Sequence, residues 1–132
     1  MATVGRGEKK ATGSERVQFR ATLDLKSEEY LDGLARVLQL KRGPLVAKLV
    51  KTLHENKRLT SQFITFYRNV WPTIEPRKIQ TARLFNWPVE VDDALKYLSF
   101  NAIPTGNKSE MVRVLIAFFA SQYKIPEFPD VL

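Results

Sequence analysis

The sequence predicts a mainly α-helical fold that carries one two-stranded antiparallel β-ribbon. Three observations indicate this fold class: two short segments alternate apolar and polar residues, apolar stripes at helical spacing follow each segment, and the whole order occurs twice. The chain has 132 residues, of which 44% are apolar, so it is long and apolar enough to form one domain with a buried core.

The first copy begins with a predicted strand over residues 16–23, which ends before a helix that Ser27 is expected to cap. Pro44 follows a break in the apolar pattern and is typical of the start of another helix. The apolar residues of this copy fall on one face of each element; they are Val17, Phe19, Ala21 and Leu23 in the strand, Leu31, Leu34, Ala35 and Leu38 in the first helix, and Leu45, Val46, Leu49, Val50 and Leu53 in the second.

The second copy repeats this order, with a strand over residues 79–86 and a helix that begins after Trp87 and Pro88. Its second helix is apolar around much of its circumference, which predicts a central position in the fold. The apolar residues of that helix include Met111, Val112, Leu115, Ile116, Phe118 and Phe119.

Pairing of the two strands follows from their isolation in sequence. A lone strand leaves its backbone groups without partners, whereas two strands in one chain satisfy each other. Arg20 and Arg83 are 63 residues apart, and the second helices match at 66. We therefore expect one domain of approximate twofold symmetry, with an arm at 1–15, copy one at 16–57, a connector at 58–78 whose residues 62–67 form a helix on the core, copy two at 79–123 and a tail at 124–132.

The charge of the chain favours a polyanionic partner. The net charge is +7, and residues 16–59 carry ten Lys and Arg against five Asp and Glu. There is no cysteine and one histidine, so thiol catalysis and thiolate metal sites are excluded, and we expect no enzyme activity, metal or cofactor. The longest apolar run is seven residues, and no secretion signal is expected, which favours a cytoplasmic protein without a membrane span.

Four short motifs of the second copy stand out. They are Asn86, Trp87 and Pro88 at the strand end, the segment 80–85, the run 117–120, and Asn107, Lys108, Ser109, Glu110 and Met111 at a helix start. Together these motifs resemble the ribbon-helix-helix DNA-binding family. Both units lie in one chain, which is similar to the tandem accessory proteins of conjugative and T-DNA transfer of the kind that the Vir C operon encodes. The resemblance implies a tandem ribbon-helix-helix pseudodimer. The first copy departs from the pattern, since it has no Trp-Pro and places Gly43 and Pro44 where a small polar residue is usual.

An antiparallel ribbon fits the DNA major groove, where its outward side chains meet base edges. The alternation predicts Gln18, Arg20 and Thr22 as base contacts from the first strand. For the second strand we prefer the orientation that exposes Thr81, Arg83 and Phe85. The alternative orientation turns Phe85 and Trp87 inward, exposes Leu84 and Asn86, and removes Arg83 from the groove.

The second helices are expected to begin beside the DNA backbone, because free amides at a helix start suit a phosphate. The predicted phosphate contacts are Lys41, Arg42 and Gly43 in the first copy and Gly106, Asn107, Lys108 and Ser109 in the second.

The predicted function is sequence-specific binding of double-stranded DNA without catalysis. The resemblance implies an accessory factor at a plasmid transfer origin, with a relaxase or another transfer or partition protein as partner. It also implies a pseudodimeric monomer that could associate side by side on DNA. Two alternatives stay open: a plasmid or phage transcriptional repressor of the same fold, and a basic helical adaptor that binds an acidic protein.

Overall fold

The computed structural model describes residues 15–74, 80–103 and 107–128. It confirms a mainly helical protein with one two-stranded antiparallel sheet. The predicted arm, apart from Glu15, lies outside the described residues, as does Gly106. In chain order the elements are β1 (Arg16–Asp24), α1 (Leu25–Leu38), α2 (Arg42–Glu55), α3 (Lys57–Asn69), a 3-10 turn (Trp71–Thr73), β2 (Gln80–Pro88), α4 (Val89–Asn101) and α5 (Lys108–Gln122).

The strands β1 and β2 pair along their whole length and form the ribbon. The register runs from Arg16 opposite Pro88 to Asp24 opposite Gln80, so the two strands pair as predicted and each satisfies the backbone groups on the facing edge of the other. Arg20 and Leu84 are the fifth residues of the two nine-residue strands and lie directly opposite each other. They therefore mark the middle of the ribbon.

Each strand runs without a break into a helix. Asp24, the last residue of β1, caps α1 by accepting a hydrogen bond from the Ser27 amide at 2.8 Å. The prediction of Ser27 as the cap is therefore wrong, because β1 extends one residue further than its alternation indicates. Pro88, the last residue of β2, directly precedes α4 but makes no side-chain cap.

One face of the ribbon packs against the helices. Directly opposite residues of an antiparallel pair project to the same side, so the alternation of β1 also sets the orientation of β2. This inner face contains an aromatic stack in which the Trp87 ring centroid lies 6.0 Å from Phe19 and 5.1 Å from Phe85. The inner face is formed by Val17, Phe19, Ala21, Leu23, Thr81, Arg83, Phe85 and Trp87.

The helix α5 is the centre of the core, as its apolar circumference predicts. Every residue from Val114 to Ala120 is buried. The connector packs on it through α3, since the Phe118 ring centroid lies 5.4 Å from Phe63 and 5.5 Å from Phe66. The predicted helical connector is thus confirmed, and the core joins residues from both ends of the chain.

Candidate nucleic-acid interface

The other face of the ribbon, here called the outer face, points away from the helices. It is formed by Arg16, Gln18, Arg20, Thr22, Ala82, Leu84, Asn86 and Pro88. Gln18 and Arg20 are exposed, as predicted, and Thr22 is half-buried. Arg20 has no hydrogen bond or ion pair with any residue that the structure describes, so its guanidinium is available to a ligand at the middle of the ribbon.

The preferred orientation of the second strand is wrong. Phe85 is 1% exposed and lies in the aromatic stack, which places Thr81 and Arg83 on the inner face with it. Burial of Phe85 and Trp87 outweighs the burial that Ala82 and Leu84 could provide, because aromatic side chains remove far more apolar area from water. The alternative orientation is the one observed, and Leu84, Asn86 and Ala82 are exposed instead.

Arg83 and Thr81 are bound to Glu28 of α1. Arg83 Nη2 donates to Glu28 Oε1 at 2.8 Å, and the Thr81 hydroxyl donates to Oε2 at 2.8 Å. Burial raises the pKa of Glu28, but the hydrogen bonds from Arg83 and Thr81 and the charges of Arg83 and Arg42 lower it further, so that the net pKa lies below its ordinary value. These side chains hold the ribbon to the helices.

Leu84 and Asn86 are outer-face residues that the preferred orientation left out. Leu84 is 51% exposed at the middle of the ribbon, opposite Arg20. Arg16 spans the end of the ribbon, donating from Nε to Asn86 Oδ1 at 2.9 Å and from Nη2 to the Asn86 carbonyl at 2.7 Å. The signal that could have found them is the aromatic spacing of Phe85 and Trp87, which matches that of Val17 and Phe19 across the ribbon.

The start of α5 lies against the edge of β1. Ser109 Oγ accepts a hydrogen bond from the Thr22 amide at 3.2 Å, and Arg113 Nη1 donates to the Thr22 carbonyl at 2.6 Å. The Asn107 side chain caps the helix by accepting from the Glu110 amide at 3.1 Å. The structure therefore places the predicted residue Ser109 beside the ribbon, and both Asn107 and Ser109 already bond within the protein.

Lys108, another predicted phosphate contact, is held by the protein. Its Nζ donates to Asp92 Oδ1 at 2.8 Å and lies 4.4 Å from the centre of the Phe19 ring. Burial raises the pKa of Asp92, but the hydrogen bonds from Lys108 and Trp87 and the charges of Lys108 and Lys96 bring the net pKa below its ordinary value. Much of the Lys108 charge is compensated before any ligand arrives.

The start of α2 lies along the opposite edge of the ribbon, beside β2. Lys41 is exposed and makes no side-chain cap, whereas Arg42 forms ion pairs with Glu28, at 3.1 Å, and with Asp32. Arg42 is thus committed to the protein and Lys41 is not. Gly43 lies in a groove of about 310 Å³ between α2 and the ribbon; its other lining residues are Arg16, Pro44, Ala47, Lys48, Lys51, Asn86, Trp87, Pro88 and Val91.

A metal cluster and a membrane-spanning helix were also sought in the described part of the chain. No three His, Asp or Glu side chains within residues 15–74, 80–103 and 107–128 lie close enough together to hold a metal ion. None of the helices within these same ranges is long and apolar enough to cross a bilayer. Searches against protein-family models, curated proteins and solved structures found no significant match to this chain.

Proposed function

We propose that the protein is a tandem ribbon-helix-helix protein that binds double-stranded DNA sequence-specifically by inserting the outer face of its ribbon into the major groove. The observation that carries the proposal is Arg20, an exposed arginine without a partner among the described residues, at the middle of a two-stranded ribbon. A major groove about 12 Å wide accepts such a ribbon.

A tandem arrangement accounts for the register of the strands. Each strand leads directly into a helix, and a second helix follows in both halves. An approximate twofold axis that passes between Arg20 and Leu84 would exchange β1 with β2 and α1 with α4. It would also exchange α2 with α5, whose starts both lie beside the ribbon, along its two edges.

The outer face offers side chains that suit direct base recognition. Arg20 can donate two hydrogen bonds to guanine O6 and N7, and Gln18 or Asn86 can pair with adenine N6 and N7. Leu84 and Ala82 offer apolar contact to the thymine methyl group. The inner-face residues Arg83 and Phe85 take no part in this proposal, because the fold already uses them.

Positive charge on the α2 side of the ribbon supports attraction to the DNA backbone. Lys41, which directly precedes α2, and Lys48 and Lys51 on α2 are exposed and form no ion pair with described residues. Phosphate contacts of this kind position a protein and make its affinity fall steeply with salt, but they do not read sequence.

The biological process is proposed on the family resemblance alone. The resemblance favours a plasmid transfer origin as the target and a relaxase as the protein partner. The alternative is a transcriptional repressor, which would use the same ribbon at a promoter. The preferred site, selected from random duplexes, distinguishes them by its position next to a nicking site or a promoter.

The test of DNA binding is a salt series on the selected duplex with Arg20→Ala and with a matched control, Arg68→Ala, an exposed arginine on α3. Loss of one bidentate base contact should lower the preference for the selected site about 5- to 150-fold and leave binding to random DNA nearly unchanged. The control should change neither. A wild-type chain without salt-dependent duplex binding would exclude this function and leave the protein-binding adaptor.

A further inference from the structure

We propose that the target is a non-palindromic duplex, bound in one orientation, with the main phosphate contacts on the α2 side. This inference rests on the proposed function and adds the orientation in which the protein lies on its DNA site. A twofold-symmetric reader presents the same side chains to both half-sites, so that its site is palindromic. The two ends of this ribbon differ in chemistry.

The polar end of the ribbon consists of Arg16, Gln18, Asn86 and Pro88. Gln18 and Asn86 lie directly opposite each other, so two amide side chains project from the same step of the outer face. Arg16 lies beside them with its guanidinium on Asn86. This end suits a half-site read by hydrogen bonds, with adenine as the preferred base for each amide.

The other end presents a methyl-bearing pair. Thr22 and Ala82 lie directly opposite each other there. The Thr22 backbone is tied to Ser109 and Arg113 at the edge of the strand. This pair suits contact with thymine methyl groups, and within the pair only Thr22 has a hydroxyl for hydrogen bonding.

The positive charges beside the ribbon also differ between its two sides. The polar end borders the α2 groove, in which Lys48 and Lys51 have no acidic partner among the described residues. On the α5 side Lys108 is paired with Asp92, and Glu110 stands in the first turn. Residues 16–57 carry nine Lys and Arg against five Asp and Glu, whereas residues 79–123 carry four of each.

One orientation should therefore dominate on a selected site. Rotation by 180° about the middle of the ribbon would place Ala82 where Gln18 had been and Leu84 where Arg20 had been. Two polar base contacts would be lost, each with about a 5-fold effect or more, so that the correct orientation is expected in at least about 20-fold excess.

Cleavage from tethered reagents measures this orientation directly. The sequence has no cysteine, so a single introduced thiol can carry an iron chelate. Pro44 and Glu110 are the third residues of α2 and α5, and Pro44→Cys and Glu110→Cys place the reagent at matched positions on the two sides. On a site selected with the wild-type chain, each conjugate should cut the DNA on one side only, and the two should cut on opposite sides.

The outcomes separate this inference from the function on which it rests. A site-specific footprint with equal cutting on both sides from each conjugate would overturn the single orientation and retain DNA binding. Absence of any site-specific footprint from the unmodified chain would overturn both.

A symmetrised variant gives a second, independent readout. Ala82→Gln with Leu84→Arg and Asn86→Thr copies the β1 outer face onto β2, using three exposed positions. Its selected site should become nearly palindromic, and each conjugate should then cut on both sides. An unchanged, one-sided pattern would show that the outer face does not set the direction.

Discussion

Arg83 of β2 donates to Glu28 of α1 across 2.8 Å, which joins a strand of one half of the chain to a helix of the other. Arg42 of α2 donates to the same Glu28 oxygen at 3.1 Å, so one carboxylate binds three elements together. The two ribbon arginines thus differ in purpose. Arg83 contributes to the fold, whereas Arg20 is exposed on the outer face and pairs with no described residue.

Replacement of Arg83 should affect stability. Arg83→Ala removes a charged hydrogen-bond donor from a half-buried carboxylate and should lower the free energy of unfolding by roughly 1.5–3 kcal/mol. Arg20→Ala, on the outer face of the same ribbon, should change it by less than about 0.5 kcal/mol. Urea titrations followed by circular dichroism measure both values. Equal effects of the two substitutions on the free energy of unfolding would contradict the assignment of Arg83 to the fold and of Arg20 to the exposed face.

Acid should destabilise the protein through Glu28 and Asp92. Both carboxyls have a lower pKa in the folded chain than their ordinary values of 4.5 and 3.8, so the folded state favours their charged forms. The stabilisation is complete above those ordinary values and is lost as the pH falls through the lower folded pKa values. Unfolding free energy measured from pH 6 to pH 2.5 should therefore fall over this range.

The variant Glu28→Gln should flatten this pH dependence, because an amide cannot titrate. The exposed neighbour Glu29, which pairs with no described residue, provides the control Glu29→Gln. The control should keep the slope of the wild-type chain. An identical slope for all three proteins would show that Glu28 contributes nothing to the acid response.

The strands and helices could be predicted because their signals are local. The alternation of Val17 and Phe19 and the apolar circumference of α5 each lie within one element. The orientation of β2 was harder to predict, because Ala82 and Leu84 on one face compete with Phe85 and Trp87 on the other. The choice depends on the partner strand, whose Phe19 stacks against Trp87. The expected equivalence of Arg20 and Arg83 fails for the same reason.

The availability of the basic residues was also beyond prediction. Arg42 and Lys108 belong to a typical basic turn in sequence, but Glu28 and Asp92 neutralise them across 14 and 16 residues of chain. Only the folded arrangement shows which cations are compensated. Lys41, Lys48 and Lys51 keep their full charge because no described acidic residue reaches them.

The contact between Ser109 and the ribbon edge should protect the Thr22 amide from exchange. Ser109→Ala removes the acceptor and should raise the hydrogen-exchange rate of that amide, with a loss of about 0.5–1.5 kcal/mol in stability. Thr65→Ala, an exposed hydroxyl on α3, is the matched control and should alter neither quantity. An unchanged hydrogen-exchange rate of the Thr22 amide in Ser109→Ala would show that Ser109 of α5 does not stabilise the edge of the ribbon.

The packing of α3 on α5 should be worth several kcal/mol. Phe118 contacts Phe63 and Phe66 edge to face in the buried core. Phe118→Ala should therefore lower the free energy of unfolding by about 3–5 kcal/mol through lost burial and a residual cavity. Tyr123→Ala, an exposed aromatic beyond the end of the same helix, should have a much smaller effect. If urea titrations show similar losses of unfolding free energy for Phe118→Ala and Tyr123→Ala, the placement of α3 on the core is contradicted.

Replacement of Leu84 should affect DNA recognition without affecting stability, because this leucine is 51% exposed on the outer face of the ribbon. Leu84→Ala should leave the unfolding free energy within about 0.5 kcal/mol of wild type, whereas the buried Leu53→Ala should lower it by about 2–5 kcal/mol. If Leu84 contacts a thymine methyl, the variant should also lose preference for thymine at the central step of the selected site. Binding to duplexes that carry uracil in place of that thymine tests this contact: wild type should weaken and Leu84→Ala should not. Equal weakening of both proteins would show that Leu84 faces the DNA without reading it.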